Sequence, residues 1–194
     1  MSHLTPEDLM SLEEYARQRP EFRARVLEHK KHRKVQLGPN ATLYFEDRLT
    51  MQYQVQEMLR TERIFEPEGI ADELGAYNPL IPDGTNWKAT FMLEYTDIEQ
   101  RRVALGRLIG VEDRVWVQVE GHDRVWAVAD EDMERDTEEK TSSVHFLRFE
   151  LEPPMIDALK RGAALSIGID HEHLDESLSP VPPDIRESLL ADLR

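Results

Sequence analysis

Two stretches in the second half of the chain run through the same order of textures, and few folds accommodate that order. ATFMLEY, DIEQRRVALGRLIG and DRVWVQVE read as strand, helix and strand. SVHFLRFEL, EPPMIDALKRG and AALSIGIDH repeat the series, so that the two units cover residues 89–120 and 143–171. Each first strand is rich in aromatic residues and each helix carries an AL-x-R element. The second helix has Pro in its first turn and Gly162 just past its end, which are ordinary start and stop signals. The recurrence reads either as an internal duplication or as the common grammar of α+β sheets, and both place helices against a sheet.

The first half has a helical texture. Thr5, Pro6 and Asp8 mark a helix start, with a helix expected to about Arg19; Pro20 restarts a second one to about Arg33, with Phe22, Val26 and His29 on one stripe. KVQLGPNATLYFED reads as a small hairpin around a Gly-Pro-Asn turn. The stretch FEDRLTMQYQVQEMLRTERIF then forms a helix capped by Asp47, its core stripe formed by Met51, Val55, Met58 and Leu59. PEGIADELGAY is a short helix, followed by the turn-rich loop YNPLIPDG. In the hairpin VWVQVEGHDRVWAV, a GHD loop sets Val119 opposite Val125 and Gln118 opposite Trp126. EDMERDTEEKTSS is a charged connector, SLSPVPP a linker by composition, and DIRESLLADLR an amphipathic helix through Ile185, Leu189 and Leu193. That last helix packs on the body or against a second copy, which makes a homodimer through it one expected partnership.

The expected fold is therefore α+β. A mainly helical part with a small hairpin occupies residues 1–87, and a mixed or antiparallel sheet of about five strands with two covering helices occupies 88–175. Residues 176–194 follow as linker and terminal helix.

Charge narrows the function. A net charge of −15 repels phosphate backbones, so nucleic acid is an unfavourable partner. Residues 17–34 oppose the trend with a local +6, so everything outside them carries −21. The basic run suits the negative end of a helix dipole and acidic surface elsewhere in the fold. The chain holds no Cys, which excludes disulfides, thiolate metal sites and Cys-ligated iron–sulfur clusters. No apolar run approaches the roughly 18 residues that suggest a membrane span, and a cytoplasmic protein is the expectation.

No phosphate-binding glycine loop, HExxH or GxSxG motif is present. Three constellations remain. Gln56, Glu57, Arg60, Glu62 and Arg63 form a polar helix face on which Arg could clamp an anion and Gln orient it, with Asn78 of YNPLIPDG as a neighbour. The competing role is a buried structural network, because amides hydrogen-bond without charge. By strand parity His145 and His171 both lie on apolar faces. Antiparallel pairing of 145–151 with 165–171 would set them opposite each other, with Glu172 completing a site for a divalent metal. Parallel pairing would leave them roughly 20 Å apart. Finally, His29 and His32 in EHKKHR lie among cations and read as a pH-sensitive basic patch.

FEDRLTMQYQVQEMLRTERIF, YNPLIPDG, HFLRFEL and GIDH closely resemble an uncharacterised bacterial family, the domain of unknown function numbered 3501, over about Leu4 to His171. The resemblance implies no activity. Members look to be encoded often beside rubrerythrin and an iron–sulfur oxidoreductase subunit, which implies a role in peroxide or redox stress and makes those two proteins the expected partners. A cysteine-free chain in such company is expected to be accessory or regulatory. The alternative is a metal-dependent enzyme with His145 and His171 as ligands and Glu57 or Glu172 as acid or base.

Overall fold

The computed structural model describes residues 2–129, 131 and 140–194. Most of the charged connector expected from residue 131 to 143 lies outside them. After a short 3-10 turn at Pro6–Asp8, helix α1 runs unbroken over Leu12–Lys31 with Pro20 inside it. The break expected at Pro20 does not occur. Pro20 is solvent-exposed, so the carbonyl that loses its N–H partner can turn to water. Tyr15 on one side of it and Phe22 and Val26 on the other join one buried cluster, with the Tyr15 and Phe22 rings edge to face at 6.0 Å. That shared packing holds both halves on one axis.

Strands β1 (Lys34–Leu37) and β2 (Ala41–Glu46) form the expected hairpin, and helix α2 (Arg48–Glu62) follows. Asp47 caps α2 reciprocally: its carboxylate accepts from the Thr50 N–H at 2.9 Å, and the Thr50 hydroxyl accepts from the Asp47 N–H at 2.9 Å. Met51, Val55 and Leu59 are buried as the stripe requires, and Met58 is half-buried. Helix α3 (Pro67–Tyr77) completes the helical layer.

The second half alternates: β3 (Asn86–Leu93), α4 (Ile98–Arg107), β4 (Val115–Val119), β5 (Arg124–Trp126), β6 (Val128–Ala129), β7 (Val144–Glu150), α5 (Pro153–Lys160), β8 (Leu165–His171), β9 (Leu174–Leu178) and α6 (Pro183–Leu190). The strands make two antiparallel sheets, ordered β1-β2-β3-β7-β6 and β5-β4-β8-β9. This differs from the single sheet expected, and the hairpin β1–β2 belongs to the larger sheet instead of standing apart. The cause lies in the repeated units: each helix carries the chain from the five-stranded sheet to the four-stranded one. Like strands then meet across the repeat, β3 beside β7 and β4 beside β8, both antiparallel. Phe45, Trp87, Phe91 and Phe149 of the larger sheet share one core with Val115, Val117, Leu165, Ile167 and Ile169 of the smaller.

Two further corrections concern the ends of this layer. The β4–β5 hairpin pairs Trp116 with Trp126 and Val117 with Val125, a slip of two residues from the expected register. A two-residue slip keeps every side chain on its face. The boundary expected between 175 and 176 falls inside β9, and the linker is pinned by the Val181 N–H on the Leu165 carbonyl at 2.7 Å. Ile185, Leu189 and Leu193 are buried in the main core, so the terminal stripe that could have met a second copy is covered by the chain itself.

Candidate functional site

The polar face of α2 points into the molecule. Gln56 is fully buried; its side-chain carbonyl accepts from the Met10 N–H at 2.7 Å and its amide N–H reaches the Met10 carbonyl at 3.4 Å. Gln52 donates to the Asp8 carbonyl at 2.8 Å. Asn78 treats Leu4 as Gln56 treats Met10, accepting from its N–H at 2.8 Å and donating to its carbonyl at 2.9 Å. Three amides therefore stitch the N-terminal arm to α2 and to the loop after α3, as an added strand would. Glu57 accepts the Tyr15 hydroxyl at 2.7 Å and takes the Arg19 guanidinium in two bonds at 2.7 and 2.9 Å. Those Arg19 bonds, helped by Tyr15, hold its carboxyl down to about 2. Arg60, Glu62 and Arg63 remain exposed, Arg63 as the left-handed residue that ends the helix, φ 54°.

A second polar centre was hidden in the basic run. Arg33 is buried and spends its donors on the carbonyls of Phe45 (2.9 Å), Glu46 (3.1 Å) and Ser188 (3.1 Å) and on the Asp192 carboxylate (2.5 Å). Asp47, which also meets His29 at 2.5 Å, lies 3.5 Å from the same guanidinium. Burial pushes the Asp192 carboxyl up to about 6, against the pull of Arg33. Glu46 accepts hydroxyls from Thr50 (2.6 Å) and Thr90 (2.8 Å). This centre ties α1, the larger sheet, α2 and α6 together. Arg19 on Glu57, Lys31 on Glu28 and His32 on Asp184 account for more of the run.

The histidine site required β7 and β8 to be neighbours, and they lie in different sheets. His145 is fully buried, its Nε2 3.1 Å from the Ser142 carbonyl and 2.8 Å from the Thr141 hydroxyl. His171 sits at the far end of the smaller sheet with both ring nitrogens engaged: Nδ1 accepts from the His173 N–H at 3.2 Å, and Nε2 faces the Ile109 carbonyl at 3.1 Å. Glu172 pairs with His173 at 2.8 Å. Among the described residues no group of three His, Asp or Glu side chains is placed to hold a metal.

Open polar capacity lies elsewhere, on the outer face of the four-stranded sheet and beside α4. Because Val115, Val117 and Val119 face the core, their neighbours Trp116 and Gln118 face outward. Trp116 lies across Gly168, where an added Cβ would clash with the indole. Arg124 stacks on Trp116 at 4.1 Å and Arg114 on Trp126 at 4.8 Å, and both arginines reach Asp170, at 3.0 and 3.5 Å. The Trp116 indole N–H is buried and has no hydrogen-bond acceptor among the described residues. Five of the seven exposed large apolar side chains described fall between residues 98 and 128, among them Val103, Ile109 and Trp126. Two hollows adjoin this face, of about 580 Å³ against α4 and about 740 Å³ beside Ile109 and Arg114, and both are lined by Arg107 and His173. Of these residues the sequence singled out His171 and Glu172, which line the second hollow, as metal ligands, and did not single out Trp116, Arg124, Arg114 or Arg107. The only signal was the WVQ/RVW alternation, which puts Trp and Arg on one face of a hairpin.

A family model described as protein of unknown function (DUF3501) matches residues 3–193. Among solved structures, the chain is similar to a protein of unknown function from Burkholderia pseudomallei, with 52% sequence identity, a TM-score of 0.94 and 100% of each chain covered. No curated protein matches the chain. No described helix is long and apolar enough to cross a membrane.

Proposed function

The chain belongs to the DUF3501 family of proteins of unknown function, and from that premise we propose that it is an accessory protein that binds a protein partner through the outer face of its four-stranded sheet. The observation that carries this reading is the Trp116 indole N–H, buried under Arg124 with no acceptor among the described residues. A buried donor left unmet costs about 1–3 kcal/mol, and a partner whose docking displaces Arg124 from the indole and brings an acceptor recovers it. The surroundings have the chemistry of an interface centre: two tryptophans, two stacked arginines and exposed Ile109. Asp170 offsets one of the two guanidinium charges, so in a chain of net charge −15 the pair leaves a local +1 that favours an acidic patch on the partner over a basic one.

Rubrerythrin and the iron–sulfur oxidoreductase subunit, the partners implied by the family resemblance, are the first proteins to test. Binding of each purified protein is measured against the wild type, Trp126→Ala and Arg124→Glu. The reading expects one of them to bind, with a loss of tenfold or more in both variants and weakening as salt rises. Equal affinity in wild type and variants would overturn it.

A further inference from the structure

We infer that the hollow between α4 and the β8–β9 turn is a binding site for an amphipathic monocarboxylate, its carboxylate on Arg107 and its apolar body against Val103, Leu108 and Leu174. At about 580 Å³ the hollow is of the size that small ligands occupy. Its walls divide by chemistry. Tyr95, Val103, Ala104, Leu108 and Leu174 give one apolar side, while Arg107 and His173 stand at the junction with the second hollow.

Arg107 differs from its neighbours in having capacity to spare. Arg102 pairs with Glu99 at 3.1 Å, and Arg114 and Arg124 share Asp170. The Arg107 guanidinium makes no hydrogen bond or ion pair with any described residue, so its planar fork is open to a carboxylate. A single cation calls for a single anion, and a dianion would meet Glu99 on the same wall and Glu172 in the adjoining hollow. The apolar side adds affinity in proportion to the area it covers, so short acids such as acetate fit poorly.

The same chemistry has two sources: a free acid with an aliphatic or aromatic body, and the C-terminus of a peptide that ends in an apolar residue. The inference rests on the reading above only in taking this end of the molecule as its open face. Calorimetric titration uses octanoate, octanamide, acetate and the tripeptide Ala-Ala-Leu with a free or amidated C-terminus. Octanoate or the free-acid peptide should bind about tenfold or more tightly than its amide, the change expected from one charge-assisted hydrogen bond. Arg107→Gln should remove that preference, and Ala104→Phe, which fills the hollow, should remove binding altogether. Octanoate binding alone assigns the free acid, and peptide binding alone assigns the C-terminus. Binding by neither, equal binding of acid and amide, or an unchanged preference in Arg107→Gln would overturn the inference. Acid binding that fails while partner binding persists would overturn this inference and leave the preceding one standing.

Discussion

The face of α2 and the outer face of the four-stranded sheet are both built from Gln, Arg and aromatic residues, yet they use them in opposite ways. On α2, Gln52 and Gln56 bond the backbone of the N-terminal arm, and Glu57 holds Arg19 and Tyr15. On the sheet, arginines lie stacked over indoles at the surface, and a buried indole N–H is left over. Polarity by itself therefore does not mark a binding face. What marks it is hydrogen-bonding capacity that the fold does not consume.

The comparison can be broken most severely at the buried centre. Arg33→Ala leaves Asp192 and Asp47 without their guanidinium and should cost about 3–5 kcal/mol, read as a large drop in thermal midpoint. Gln56→Ala should cost less, about 1–3 kcal/mol for the half-buried Met10 N–H it strands, and should expose the arm before α1 to limited proteolysis. If the arm stays protected, the stitching role of α2 is wrong.

Acid titration sharpens the same contrast. Glu57 is held at about 2, below its ordinary 4.5, so the stability it gives is complete above pH 4.5 and lost as pH falls through 2. Asp192 is pushed the other way, from 3.8 to about 6, so its contribution is complete below pH 3.8 and lost as pH rises through 6. Urea unfolding at a series of pH values should show Glu57→Gln converging on the wild type toward pH 2. Asp192→Asn should differ from the wild type in slope between pH 3.8 and 6. The smallest effect belongs to Arg60→Ala, an exposed site expected to move stability by no more than about 0.5 kcal/mol. Should that variant lose partner binding, the docking face would move to Arg60, Glu62 and Arg63.

Much of the local structure was legible. The Asp47 cap, the β1–β2 hairpin, the stripe of Met51, Val55 and Leu59, and the elements of both repeated units depend on neighbours in sequence, where periodicity speaks. Pro20 misled because the cost of proline in a helix is offset by tertiary packing on both sides of it. Strand β9 was missed because LDESL alternates weakly and takes its place from pairing with β8. The site was harder still. Whether Gln56 turns to a ligand or to Met10 depends on a contact 46 residues away in sequence. Likewise Arg33 looked like one more cation in a basic run until Asp192, 159 residues on, closed over it.

The most direct test of the account places a photo-crosslinking residue at position 126 and, separately, at position 60 in cells that express the protein. The account predicts a discrete crosslinked partner from position 126 and none from position 60. A crosslink from position 60 with none from 126 would contradict it and return the binding face to α2.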